Sequence, residues 1–488
     1  MSVRARWIAA YVALAAIVAA MVTWFVLSPT EPTEPRLYGG VPKAPATSLA
    51  ATDGAVVSVP DGEPGELSFA LSSTLYDAAP AVIVATPETI ADAADASGHA
   101  LPILVIPAEP SDDDLARLRD ESERLGAHGW IAHGVELPDE FPEPRRLSDG
   151  DLPTRTVLVD GDPTVTGQLL AGLDWEVLEF SGDPRGSAEV IDALAQAPDE
   201  PAIVVGEEND DLEWKIATAR TGVLLPTGTQ LAAPDALYVA LYGHPSGPAL
   251  GVLGEQDVDA TIERAEEHAA PFRDLVDVTV VPSLEIIATV ASAGAGDDGT
   301  YSRKSPASEL EPLIDAAGEA NMYVVLDLQP GRTDFLEQAQ LYEELLLRPY
   351  VGLALDPEWR LKPDQVHLQQ IGQVDAAEVN EVIEWLADLT RENDLPQKIL
   401  ILHAFQNRMI TNIDQLDMSR DELAITMHVD GQGSQGAKQA TWNTLRNYAS
   451  NIELWSWKNF YDEDTPEMLT PRQTIENVNP TPFFVSYQ

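Results

Sequence analysis

Two carboxyl groups stand two residues apart in VGLALDPEWR, residues 351–360: Asp356 and Glu358. Side chains alternate along an extended strand, so Gly352, Ala354, Asp356 and Glu358 share a face, with two small residues below and two acids at the C-terminal tip. Such a pair suits acid–base chemistry, in which one carboxyl group carries a proton for a leaving oxygen while its neighbour tunes it. Pro357 gives the same residues a plainer use, as the start of a turn. The surrounding elements must decide between the two.

Eight stretches beyond residue 233 read as strands: 236–243, 276–287, 322–329, 351–358, 398–405, 423–430, 452–459 and 482–488. Helical patterns at 257–270, 309–320, 334–347, 376–393 and 436–448 separate most of them; the connections after the fifth and seventh strands are less plainly helical. This rhythm predicts a (β/α)8 barrel of TIM type over 234–488, whose chemistry gathers at the C-terminal strand ends. Those ends carry His244, Glu285, Asp327, Gln329, Asp356, Glu358, His403, Gln406, His428, Asp430, Trp455, Trp457 and Lys458. Parity supports the set: Ala424, Thr426, His428 and Asp430 share one face, and Ile399, Ile401, His403 and Phe405 another.

The expected catalytic groups are Glu358, Asp356 and Asp327. His244, Glu285, Gln329, His403, Gln406, His428, Asp430, Trp455, Trp457 and Lys458 are expected to bind, the tryptophans (with Trp359) as platforms on which sugar rings stack. An alternative uses His403 and His428 with Asp356, Asp327 or Asp430 as nitrogen and oxygen ligands of Zn²⁺ or Mn²⁺. Neither H-x-H nor H-E-x-x-H occurs, so the first expectation is a site without metal or cofactor. G-x-S-x-G and G-K-[ST] are missing too, which argues against a serine triad and a phosphate loop.

Residues 66–233 alternate strand (80–86, 102–108, 156–162, 175–180, 202–208) with helix (88–97, the stretch after Ser111, 187–196). Parallel sheet covered by helices is expected, in a Rossmann-like or flavodoxin-like α/β layering, with 66–150 and 151–233 as a degenerate duplication. No G-x-G-x-x-G follows any of the strands, so no dinucleotide site is expected.

Two resemblances bear on this layout. VIVATPETIADAADASGHALPILVIPAEP and AIVVGEENDDLEWKIATARTG resemble the type 2 cell-wall-binding repeats of actinobacterial and other Gram-positive surface proteins, which implies association with a cell-wall polymer. The barrel with D-x-E on its fourth strand resembles chitinase-type and lysozyme-type glycoside hydrolases, which implies Glu358 as general acid and Asp356 as its partner.

Composition narrows the setting. With 80 acidic and 29 basic residues, a formal charge of −51 repels nucleic acid and anionic lipid head groups. Cysteine is absent, so disulfides, thiol catalysis and cysteine-ligated zinc are excluded. Arg4 and Arg6 precede an apolar run at residues 7–27, long enough to span a bilayer, with the next basic residue at Arg36. Residues 1–27 are therefore expected to be a single-pass signal anchor, with a cleaved signal peptide as the alternative, 28–65 a Pro-rich spacer, and the folded part extracytoplasmic. The expected function is binding and hydrolysis of a cell-envelope glycan. Non-catalytic saccharide binding and a His/Asp metal-dependent hydrolase are the alternatives.

Overall fold

A computed structural model describes residues 46–50, 56–96, 98–138, 147, 152–207, 209 and 211–488. The expected membrane segment 1–27 and residues 28–45 and 51–55 of the expected spacer lie outside the described residues. Among the described residues no helix is long and apolar enough to cross a membrane.

Val56–Pro60 (β1), which the sequence reading leaves in the spacer, is a strand. Its Val-Val-Ser-Val run is short and ends in proline, which masks the alternation. Two α/β halves follow. The first contains Val82–Ala85 (β2), Ile103–Val105 (β3) and Trp130–His133 (β4); the second contains Thr156–Asp160 (β5), Glu176–Phe180 (β6) and Ala202–Gly206 (β7). Both have the same parallel topology, with the first strand in the middle: β3-β2-β4 and β6-β5-β7. β1 pairs in parallel with β7, so the start of this region is tied to its end. Helix Asp112–Leu125 begins where expected because Ser111 and Asp114 form a reciprocal capping box.

The C-terminal part is a closed barrel of eight parallel strands. Ala236–Gly243 (β8), Thr279–Ala291 (β9), Tyr323–Leu328 (β11), Val351–Leu355 (β12), Lys398–Ala404 (β13), Leu423–Val429 (β14), Leu454–Asn459 (β15) and Phe484–Tyr487 (β16) pair in that order, and β16 returns to β8. The short strand Ser302–Lys304 (β10) folds back antiparallel on the end of β9. All eight lie within the stretches read as strands, apart from β9, which runs on to Ala291. Long helices such as Ala376–Glu392 and Gln435–Tyr448 pack their buried faces on the outward side of the sheet. The connection after β13 is made of 3-10 turns and the two-residue strand Ile410–Thr411; that after β15 holds helix Pro471–Asn477.

The barrel interior is layered. Its lower part is apolar: Tyr238, Val281, Tyr323, Ile399, Ile401 and Phe484 fill it. Tyr323 also reaches past β12 to β13, its hydroxyl accepting the Ile399 N–H at 2.9 Å. Gly352 makes room for that ring, because a Cβ there would sit 2.5 Å from the Ile399 carbonyl and 2.9 Å from the Tyr323 hydroxyl. Above lies a belt of buried hydroxyls, with Thr426 hydrogen-bonded to Ser456 at 2.7 Å and Ser486 to His428 at 3.0 Å.

The α/β region closes the N-terminal end of the barrel. Leu225 and Ala232 pack against the lower aromatic layer, and Gln397, just ahead of β13, accepts the N–H of Ala232 at 3.0 Å. Beside them is an ionic clasp. Fully buried Arg185 binds Asp183 at 2.8 Å and the Asp421 carbonyl at 3.1 Å, while Lys215 pairs with the Asp421 carboxylate. The Trp214 ring lies within 4.3 Å of the Arg185 guanidinium and 4.4 Å of that of Arg391, a barrel residue.

Candidate active site

The C-terminal end of the lumen holds a cluster of ionisable side chains. Tyr242, Glu285, Asp327, His403, His428 and Lys458 point inward because each shares the parity of the lower lumen residues on its own strand, such as Tyr238 below Tyr242 and Tyr323 below Asp327. His403 is the hub. Its Nε2 lies 2.7 Å from Glu285 Oε1 and 4.0 Å from Asp327 Oδ1, and its Nδ1 lies 3.1 Å from Asp430 Oδ2. Since β9 and β13 are not neighbours, the Glu285–His403 bond spans the lumen. Tyr242 donates to Asp327 at 2.8 Å, Lys458 Nζ stands 3.5 Å from the centre of the Tyr242 ring, and His428 packs beside His403 with ring centres 4.6 Å apart.

Burial and charge set the protonation states. Burial pushes Asp327 up to about 6 against the pull of His403, and it pushes Asp356 well above the usual carboxylate range, with Asp327 adding repulsion. Burial would strip the proton from His403, but Glu285 and Asp430 outweigh it and hold the imidazolium well above pH 6.5. Asp430, despite its burial, is kept below the usual range by the hydrogen bond from His403. His428 goes the other way: burial, then the charges of His403 and Lys458, press it well below 6.5. Glu358 is pushed up to about 7, by burial first and by the Asp430 charge second.

The D-x-E motif is both tip and turn. β12 stops at Leu355; Asp356 caps the 3-10 turn Pro357–Trp359, its Oδ1 accepting the Glu358 N–H at 3.1 Å. Asp356 is buried, whereas Glu358 is only half-buried. The buried acid thus fixes the backbone of the accessible one.

Seven of the residues expected from sequence converge with Glu358 in this cluster: Asp356, Asp327, Glu285, His403, His428, Asp430 and Lys458. Gln329 touches its edge, with Nε2 3.4 Å from the Tyr242 hydroxyl and Oε1 accepting the Ala291 N–H. Gln406 accepts from Arg408 on the rim. His244 is held elsewhere, between Ser246 and Ser305 at 2.8 and 2.9 Å.

Trp455 and Trp457 correct the expectation of stacking platforms. Both are buried in the outer core against Trp442, with ring centres 5.8 and 5.6 Å away, because they alternate with the inward-facing Ser456 and Lys458. Trp359 lies half-buried and is already stacked on His367 at 4.5 Å. Tyr242 was missed because the first tip was read at His244; parity with Tyr238 and Ala240 would have found it. The chain matches no model of a known protein family, and no curated protein matches it.

Proposed function

We propose that the barrel mouth is the active site of a hydrolase acting on a cell-envelope glycan, with Glu358 as the general acid. The observation that carries this reading is the state and placement of Glu358: half-buried above a buried polar cluster, with its proton held to about pH 7. A carboxylic acid that keeps its proton near neutrality is what protonation of a glycosidic oxygen requires. Asp356 is a positioning residue, locking the turn that presents Glu358. Asp430, fixed by His403, is the second carboxyl group and supplies negative charge for an oxocarbenium-like transition state. Asp327, bound by Tyr242, supports the cluster from below.

The remaining expectations fit this reading. Residues 7–27 anchor the chain in the membrane as a single span, leaving the folded part extracytoplasmic. The α/β region, with a Rossmann-like or flavodoxin-like layering in each half, associates with the wall polymer. The repeated strand order supports the duplication, and this region packs on the N-terminal end of the barrel, away from the mouth.

The test is release of reducing ends from purified cell-wall glycan. Wild type should release them and Glu358→Gln should do so 10²- to 10⁴-fold more slowly, the usual range for loss of a general acid. Wild-type release no higher than buffer alone between pH 4 and 8 would sink the enzyme reading. Deep burial of Glu285, Asp327, His403 and His428 favours non-catalytic saccharide binding as the second reading. Glycan retention without release would select it.

A further inference from the structure

Four polar atoms in the cluster are buried without a hydrogen-bond partner among the described residues: His428 Nδ1, Glu285 Oε2, Asp327 Oδ1 and Asp430 Oδ1. Burying such atoms is unfavourable when nothing satisfies them. Three of these residues, His428, Glu285 and Asp327, converge on the Nε2 side of His403. His428, His403 and Glu285 each offer a ligand atom within 4.8 Å of the others, and Glu285 Oε1 lies 2.7 Å from His403 Nε2 and 3.9 Å from His428 Nδ1. Zinc bonds of 2.0–2.1 Å to nitrogen and oxygen imply ligand-to-ligand edges of about 3.3 Å, between these values. Asp327 Oδ1, 4.0 Å from His403 Nε2, stands on the same side of the ring.

We infer that the base of the mouth is a binding site for a divalent transition-metal ion of the Zn²⁺ or Mn²⁺ class, ligated by His403 Nε2, His428 Nδ1 and Glu285, with Asp327 completing the set. The surroundings are those of a metal centre. Asp430 accepts from His403 Nδ1, which leaves Nε2 as the ligating nitrogen and gives the carboxylate–histidine–metal arrangement. Ser486 engages His428 Nε2 and turns Nδ1 toward Glu285. The two histidines sit on adjacent strands in direct register, so the barrel wall fixes their spacing. Charge points the same way: five carboxyl groups (Glu285, Asp327, Asp356, Glu358 and Asp430) gather here with a single lysine, Lys458, an excess of negative charge that a bound cation would offset. Mixed nitrogen and carboxylate ligands favour zinc or manganese over calcium or magnesium.

The inference goes beyond glycan hydrolysis and is tested without a glycan. The full-length chain, freed of metal with chelator, is titrated with Zn²⁺ in competition with a chromophoric chelator, and with Co²⁺ followed by visible absorption. One equivalent of zinc should bind with submicromolar affinity. Asp430→Asn should weaken it 10- to 100-fold, and His428→Gln at least 100-fold. Glu358→Gln, outside the ligand set, should leave the cobalt spectrum unchanged, so that loss of hydrolysis and loss of metal binding are read separately. Should either buried variant fail to fold, the cobalt-loaded wild type still decides. Its proton NMR spectrum should contain two paramagnetically shifted imidazole N–H signals. Their absence, millimolar affinity, or zinc binding equal in His428→Gln and wild type would overturn the proposal.

Discussion

Glu358 separates two effects of pH that have the same group as origin. The proposed role of general acid requires the protonated form, so activity should hold below pH 7 and fall above it, as the carboxyl group loses its proton near 7. Stability shifts in the same direction. A carboxyl group whose folded value is raised from 4.5 to about 7 favours the folded state below the unfolded value, and that contribution is lost as pH rises through 7. Urea midpoints should therefore drop between pH 5 and 8, and the drop should be shallower in Glu358→Gln. Equal slopes in the two proteins would show that the Glu358 proton is not held in the folded state.

At the scale of elements, β12 depends on having no side chain at its second position. Gly352→Ala would press a methyl group against the Ile399 carbonyl and the Tyr323 hydroxyl, neither of which can retreat from the packed lower lumen. A loss of about 3 kcal/mol in denaturant unfolding is expected, at the upper end of the range for overpacking; no change in midpoint would refute this account. The barrel strands were legible because each is an apolar run ending in a polar residue, and period 2 brought Asp327, His403 and His428 to one lumen. The same rule, applied to LWSWKN, separates Lys458 from Trp455 and Trp457; the strand was recognised but its two faces were merged. β1 stayed hidden because its partner β7 lies more than a hundred residues away, and a five-residue run beside proline carries little local signal. The lumen-crossing Glu285–His403 bond was equally out of reach, since period and propensity say nothing of which strands face each other across a barrel.

At the scale of the whole molecule, charge and the clasp give two further expectations. With a formal charge of −51, self-repulsion should be relieved as the screening length shrinks from about 10 Å at 0.1 M salt to about 3 Å at 1 M. The melting temperature should rise by several degrees over that range of KCl; a fall would mean that attractive pairs outweigh repulsion. The clasp should make the α/β region and the barrel unfold together. In differential scanning calorimetry, wild type should give one transition and Trp214→Ala two, because removing the ring takes away the surface shared by Arg185 and Arg391. A single transition in both would assign the coupling to Leu225 and Ala232 instead.

The clasp also sets a path for force. The mouth lies at one end of the barrel, and the chain's N-terminal side reaches the barrel through the α/β region at the other. A load pulling the α/β region away from the barrel falls on the backbone at residues 233–236 and, beside it, on the contacts that Arg185, Lys215 and Trp214 make with Asp421 and Arg391. These contacts lie side by side and strain together. Such a junction gives way abruptly, as one mechanical element, rather than peeling open one contact at a time.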